Sequence, residues 1–299
     1  MRRDPPALWD LPSPQDPGFL EVRGRVLRAG GIDIGLYKGR SMFRRLGARL
    51  RAAGVADLGG YCRRLDADPG ELRRLVDALT VSVSEFFRNP TAFRALSREV
   101  LPALVARRQA EGGRSIRVWS AGCAGGEEPY SLAIAFSEYL GDALRDLPVV
   151  IYATDVSGRS LAAARAACYR MAHVTRVPRH VLRRYFEPDG AGYRVRPTIR
   201  RMVHFRQHDL LAPPPFRRMD LVACRNVLIY MARPLQERVL SALYDALSPG
   251  GFLVLGKVEG LTGPARERFE VISLPERIYR KPVGAWPCPA PPAHPEAGA

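Results

Sequence analysis

Val118-Trp119-Ser120-Ala121-Gly122-Cys123-Ala124-Gly125-Gly126-Glu127-Glu128-Pro129-Tyr130 is the stretch whose reading decides the fold of this 299-residue chain. Residues 116–119 bring β-branched and aromatic side chains between charged flanks, as a buried strand does. Gly122, Gly125 and Gly126 permit positive φ and let the backbone approach a ligand without a Cβ in the way. Pro129 suits the first helical position, where its missing N–H is no loss. Leu132, Ala133, Ala135, Phe136 and Tyr139 then form an apolar stripe at helical spacing. The stretch therefore predicts a strand, a glycine turn and the opening of a helix, a place where free backbone N–H groups hold cofactors.

A tight strand-to-helix connection with no ligand would look similar, so the next strand matters. Residues 148–154 read as that strand, with Asp155 at its carboxyl end. An acid there can accept both hydroxyls of a ribose. It could instead cap the following helix, but Ser157 is also placed to do so. Glu127 and Glu128 favour a helix N-terminus, yet they would repel a pyrophosphate in the same place. A cofactor with a ribose, a cationic or zwitterionic tail and no phosphate fits better, and S-adenosylmethionine is such a molecule.

Composition narrows the classes further. The formal net charge is +16, with Lys38, Lys257 and Lys281 the only lysines among 46 basic residues. A basic surface favours an anionic partner, although an Arg-, Ala- and Gly-rich composition also reflects base composition. Cys62, Cys123, Cys168, Cys224 and Cys288 have neither CxxC spacing nor histidine pairing, so buried thiols are expected rather than disulfides or metal ligands. No apolar run reaches membrane-spanning length and the start lacks an apolar signal core, which predicts a cytoplasmic protein.

Outward from the glycine turn, the chain alternates strands and helices. Residues 1–17 read as a disordered arm and 18–89 as a helical domain. Within the latter, Arg45 and Arg49 share one face of an amphipathic helix and as a cluster suit an acidic partner. Ser82, Ser84 and Arg88 fall in a connector closed by Pro90. After a helix that follows Asp155 and runs to about Tyr169, residues 185–195 read as a small hairpin. Further strands end in His208-Asp209-Leu210 and in Arg225-Asn226-Val227-Leu228-Ile229-Tyr230. A closing antiparallel pair follows near the end, and residues 282–299 form a Pro/Ala-rich tail expected to be disordered. This is the pattern of an α/β fold with a mostly parallel sheet, whose ligands bind beyond the carboxyl ends of the strands.

Ser84-Glu85-Phe86-Phe87-Arg88, the glycine-turn stretch through Ser131, and Cys224-Arg225-Asn226-Val227-Leu228-Ile229-Tyr230 together resemble the chemoreceptor glutamate methyltransferases of bacterial chemotaxis, the CheR family. The likeness runs in order from about residue 18 to 281. It implies a class I, Rossmann-like S-adenosylmethionine-dependent methyltransferase domain over 90–281, with antiparallel closing strands and a small antiparallel β-subdomain inserted at about 185–205. A small all-α domain over 18–89 precedes it. The resemblance assigns cofactor contacts to Ser82, Ser84, Arg88, Gly122, Glu128, Asp155, Asp209, Leu210, Asn226 and Val227. Ser82 and Ser84 stand where the family often has Asn and Thr, and Asp209 where it usually has Asn. Arg88 is expected near the transferred methyl, Tyr230 facing the substrate, and Arg45 and Arg49 on the receptor-docking helix. The implied product is S-adenosyl-L-homocysteine and the implied partner the acidic cytoplasmic bundle of a methyl-accepting chemoreceptor. Neither a metal nor nucleic acid is expected, and the protein is expected to be a monomer. Two rival readings are a nucleic-acid methyltransferase and a non-catalytic cofactor-binding module. The first lacks the Asn/Asp-Pro-Pro-aromatic motif, and the second is disfavoured by the intact site residues.

Overall fold

The computed structural model describes residues 15–30, 33–36, 39–79 and 84–284. The expectations for most of the N-terminal arm, for the tail beyond Gly284, for Cys288 and for Ser82 lie outside the described residues.

Four helices make the first domain: α1 (Pro17–Gly30), α2 (Gly39–Ala52), α3 (Leu58–Ala67) and α4 (Pro69–Leu79). Their apolar faces meet in one core that includes Phe19, Val22, Met42, Leu46, Leu50, Tyr61, Leu75 and Leu79. At its edge Glu71, 1% exposed, accepts hydrogen bonds from Arg49 Nε and Nη2 at 2.5 and 2.6 Å. It also accepts from the Tyr61 hydroxyl at 2.7 Å and Arg74 Nε at 3.0 Å. This network ties α2, α3 and α4 together, and a buried carboxylate persists only because it is so fully bonded. Asp57 starts α3 by accepting from Gly60 N.

A helical rod follows, α5 (Pro90–Ala95) passing through a π-helical turn (Leu96–Val100) into α6 (Leu101–Ala110). The second domain then runs β1 (Ile116–Ala121), α7 (Glu127–Leu140), β2 (Val149–Asp155) and α8 (Gly158–Ala166). Next come β3 (Cys168–Arg170), α9 (Met171–Val174), α10 (Arg179–Tyr185), β4 (Phe186–Asp189), β5 (Gly192–Val195) and α11 (Pro197–Arg200). The chain closes with β6 (Val203–Gln207), β7 (Met219–Cys224), α12 (Arg233–Ala246), β8 (Leu247–Leu255), α13 (Ala265–Arg268), β9 (Glu270–Ser273) and β10 (Ile278–Arg280). The main sheet has the order β6-β2-β1-β7-β8-β10-β9. The neighbours from β6 to β8 pair in parallel, and β10 is antiparallel to both β8 and β9. The order reverses direction between β1 and β7, so the crevice beyond their carboxyl ends is where a ligand belongs. Apolar cores cover both faces, one including Ile116, Val118, Phe136 and Ile151, the other Trp119, Val222, Leu240 and Leu253. Among the described residues no helix is long and apolar enough to cross a membrane.

The inserted subdomain differs from expectation at both ends. It has three strands in the order β3-β5-β4, so it begins near Cys168, where the helix after Asp155 was expected to continue to about Tyr169. Its other end lies before β6, which pairs with β2 from Ile151↔Val203 onward and belongs to the main sheet. A three-residue strand is too short to carry a period, and α8 stops at Ala167 with φ 55° rather than at a glycine. Neither break is marked in the sequence.

Candidate active site

The glycine turn alternates its backbone hand, with positive φ at Gly122 (80°), Ala124 (47°) and Gly126 (92°). Gly122 N and Cys123 N both donate to Thr154 O, at 2.8 and 2.9 Å, fastening the turn to the end of β2. A Cβ on Gly122 would fall 2.5 Å from Val227 Cγ2, so only glycine lets the loop after β7 pack against the turn. Asp155 holds the turn from the other side. Its Oδ2 accepts from Ala124 N at 2.8 Å and its Oδ1 from Ser157 N at 2.9 Å. Ser157 Oγ caps α8 by accepting from Ser160 N at 3.2 Å. Burial raises the Asp155 pKa, and these backbone bonds oppose the rise. Each of its oxygens keeps acceptor capacity after one bond, so Asp155 can serve the turn and a ribose together.

Two residues hold the loop after β7. Glu259, 5% exposed, accepts from Asn226 N at 2.7 Å, Gly256 N at 2.6 Å and Ile229 N at 3.2 Å. Asn226 is thereby kept at φ 62°, a left-handed conformation that asparagine tolerates better than most residues, and its Oδ1 is buried without a partner among the described residues. Arg225, 7% exposed, donates through Nη2 to Arg88 O at 2.6 Å and Asn89 Oδ1 at 3.1 Å. Its Nη1 lies 3.5 Å from Glu128 Oε2, and its Cζ 5.5 Å above the Phe93 ring. Glu128 Oε1 accepts from Ser120 Oγ at 2.8 Å. Burial raises the Glu128 pKa and Arg225 opposes it. Arg225 thus joins the 84–89 connector to the glycine turn. Sequence reading quoted Arg225 but gave it no role and missed Glu259. The one signal available was an acid in the glycine-flanked turn after β8, a strand-end position like that of Asp155.

Glu259→Ala strips the acceptor from three main-chain N–H groups. Each buried orphan costs about 1–3 kcal/mol, so the midpoint of denaturant unfolding should fall well below that of the wild type. An unchanged midpoint would show that the loop finds other acceptors.

The connector and the helical domain complete the site. Phe87 N donates to Ser131 Oγ at 2.9 Å, with positive φ at Phe87 (51°) and Asn89 (57°). Phe86 packs edge-on against Tyr169 and Phe186 of the subdomain, at 4.8 and 5.1 Å between ring centres. Burial raises the Glu127 pKa, and nearby His173 and Ser84 oppose the rise. Arg88 is half-buried, its carbonyl taken by Arg225. From the far side of the sheet end, His208 N donates to Asp155 O at 3.0 Å. Asp209 Oδ1 accepts from Leu211 N at 2.9 Å, and Leu210 packs on the core that holds Trp119. Tyr230 meets Arg45, whose Cζ lies 5.2 Å from the ring centre and whose Nη1 donates to Leu79 O at 2.9 Å.

Gly122 lies against Val227, and Asp155, Glu128 and Asn226 join this pair through their neighbours Ala124, Arg225 and Glu259, as Ser84, Arg88, Asp209 and Leu210 do through theirs. Tyr230 and Arg45 form a pair. Arg49 stands apart. Its guanidinium is held bidentately by Glu71 inside the helical domain, which gives it a structural task whatever part its shared face with Arg45 plays in docking.

The residues present suit S-adenosylmethionine. Asp155 has spare lone pairs for a ribose, and buried Asn226 Oδ1 has no donor among the described residues. No phosphate-binding basic group lies in the turn itself, where Glu127 and Glu128 sit.

Strand order, closing antiparallel strands and the glycine turn with an acid at the end of β2 define a class I S-adenosylmethionine-dependent methyltransferase domain behind an all-helical domain. Residues 17–80 match the family described as CheR methyltransferase, all-alpha domain, and residues 82–278 match CheR methyltransferase, SAM binding domain. The chain belongs to the CheR methyltransferase family. It is similar to a chemotaxis protein methyltransferase 1 of Pseudomonas aeruginosa, 37% identical over 84% of this chain and 92% of that one. A chemotaxis protein methyltransferase of Pseudomonas putida is 35% identical over 88% of this chain and 97% of that one. An uncharacterized 104.1 kDa protein of Rhodobacter capsulatus is 36% identical over 91% of this chain, which spans only 30% of that protein.

Proposed function

We propose that this protein transfers the methyl group of S-adenosylmethionine to glutamate side-chain carboxylates on the cytoplasmic helices of a methyl-accepting chemoreceptor. The products are glutamate methyl esters, used in chemotactic adaptation, and S-adenosyl-L-homocysteine. The observation that carries the reading is Arg45 of α2 lying on Tyr230 at the end of the cofactor-side loop, which sets a basic helix at the mouth of a methyltransferase site. The same reading makes the protein a cytoplasmic monomer that meets the membrane only through its receptor.

The cofactor, when bound, supplies an electrophilic methyl on a sulfonium. A glutamate side chain has a pKa of about 4.3 and is already anionic near neutral pH, so no proton has to be removed. The chain's residues then have to align the two reactants and keep water out, an effect worth up to roughly 7–11 kcal/mol. In this reading Asp155 orients the ribose and Asn226 and Glu128 the methionine part. Arg88 stays on the cofactor side, because a close ion pair would blunt the attacking carboxylate. Tyr230 hydrogen-bonds the incoming carboxylate, and Arg45 draws the acidic helix toward it.

Incubation with labelled cofactor and receptor cytoplasmic fragments, followed by mass mapping of base-labile esters, tests the reading. Label on RNA or DNA and none on receptor would overturn it. Tyr230→Phe keeps the ring that Arg45 covers and removes only the hydroxyl. Turnover should fall while calorimetric cofactor affinity stays at the wild-type value, and the reverse pattern would remove Tyr230 from the substrate side.

A further inference from the structure

A groove of about 610 Å³ opens beside the loop that carries Tyr230. Val258, Val271 and Leu274 line it and are 76%, 55% and 56% exposed. They are three of the eight large apolar side chains that stand exposed among the described residues. Single exposed apolar residues are ordinary, but several gathered in one concavity mark a partner site. Leu261 and Ile229 extend the apolar lining inward, and Arg266 and Arg277 also line the groove. Arg266 Nε donates to Leu261 O at 3.1 Å and Arg277 Nε to Lys257 O at 3.2 Å. Those bonds fix the guanidinium groups at their base, and neither forms an ion pair among the described residues. Glu259, the acid of the lining, spends its oxygens on main-chain N–H groups.

An apolar trough with uncompensated arginines fits an amphipathic helix whose apolar stripe is flanked by acids. The groove is continuous with the substrate side of the site: Ile229 lines it, and the next residue, Tyr230, meets Arg45. We propose that this groove is a second docking surface for the chemoreceptor bundle, seating one acidic amphipathic helix while a glutamate of the same bundle reaches Tyr230. The inference rests on the function proposed above and adds the surface by which the partner is gripped. Of the occupants the groove could take, the charge of its arginines and its junction with the Tyr230 loop favour this one.

The test is steady-state methylation of a receptor cytoplasmic fragment by the full chain carrying Val271→Asp with Leu274→Asp, and separately Arg266→Glu. These side chains are exposed, so folding should be retained. Losing a central apolar anchor typically weakens an interface strongly, so KM for the fragment should rise about tenfold or more for the double variant. kcat and calorimetric cofactor affinity should stay at wild-type values, and Arg266→Glu should raise KM in the same direction. An unchanged KM overturns the proposal. So does a wild-type dimer that the double variant converts to monomer, which would make a second copy the occupant. Removal of residues 285–299 that lowers KM would likewise overturn it by making the tail the occupant. If the wild-type protein methylates no receptor fragment at all, the proposed function fails first, and the partner named here fails with it.

Discussion

Asp155→Ala is expected to weaken S-adenosylmethionine binding by about tenfold or more, the loss of at least one charge-assisted hydrogen bond pair. Two effects add at this position. The carboxylate is the acid proposed to take the ribose hydroxyls, and it already holds Ala124 N and Ser157 N. Without it the left-handed Ala124 loses its acceptor and the glycine turn loses its fastening to β2 on that side. Ser157 still caps α8, so the helix itself should survive and the loss should be seen in binding more than in helix content. Isothermal titration measures it directly. An affinity equal to that of the wild type would remove Asp155 from the ribose assignment whatever happened to stability.

The second large effect lies in the helical domain. Arg49 hydrogen bonding, opposed by burial and helped by Tyr61 and Arg74, lowers the Glu71 pKa from 4.5 to about 2. The folded state therefore favours the ionised carboxylate more than the unfolded chain does. That stabilisation is fully present above about pH 4.5 and is lost as pH falls toward 2. At about 1.4 kcal/mol per pKa unit it amounts to about 3 kcal/mol at neutral pH. Glu71→Gln should cost about that much at pH 7, and the gap to the wild type should close as pH drops through this window. A gap independent of pH would mean that the network is held by packing rather than by charge. Arg49→Ala should lower stability in the same way, with receptor KM moved only as far as α2 shifts. A selective rise in KM at full stability would show Arg49 at work on the docking face as well.

Much of this was legible along the chain because the features were local. The strand, glycine turn and helix of residues 116–140 declare themselves through spacing, and Asp155 and Asn226 through their place at strand ends. The subdomain strand Cys168–Arg170 was not legible, because three residues with one buried side chain carry no period. Nor was the task of Arg49, since its partner Glu71 is 22 residues away and on another helix. Arg45 and Arg49 look alike on the sequence because they share a face. One reaches Tyr230 across the domain boundary, and the other turns inward to a buried acid.

By itself the sequence determined the fold class, the cofactor type and the set of strand ends where chemistry would gather, because periodicity, glycine spacing and the sign of local charge act over a few residues. Tertiary structure alone decided which of these groups touch. It made Glu259 and Arg225 the holders of the loop after β7, gave Arg49 to the helical core, and opened the groove beside Ile229. Those outcomes depend on contacts between residues tens of positions apart, such as the 33 separating Asn226 from Glu259 and the 137 separating Arg88 from Arg225. No local pattern encodes them, since the energy of a buried polar contact is fixed by what the rest of the chain brings against it.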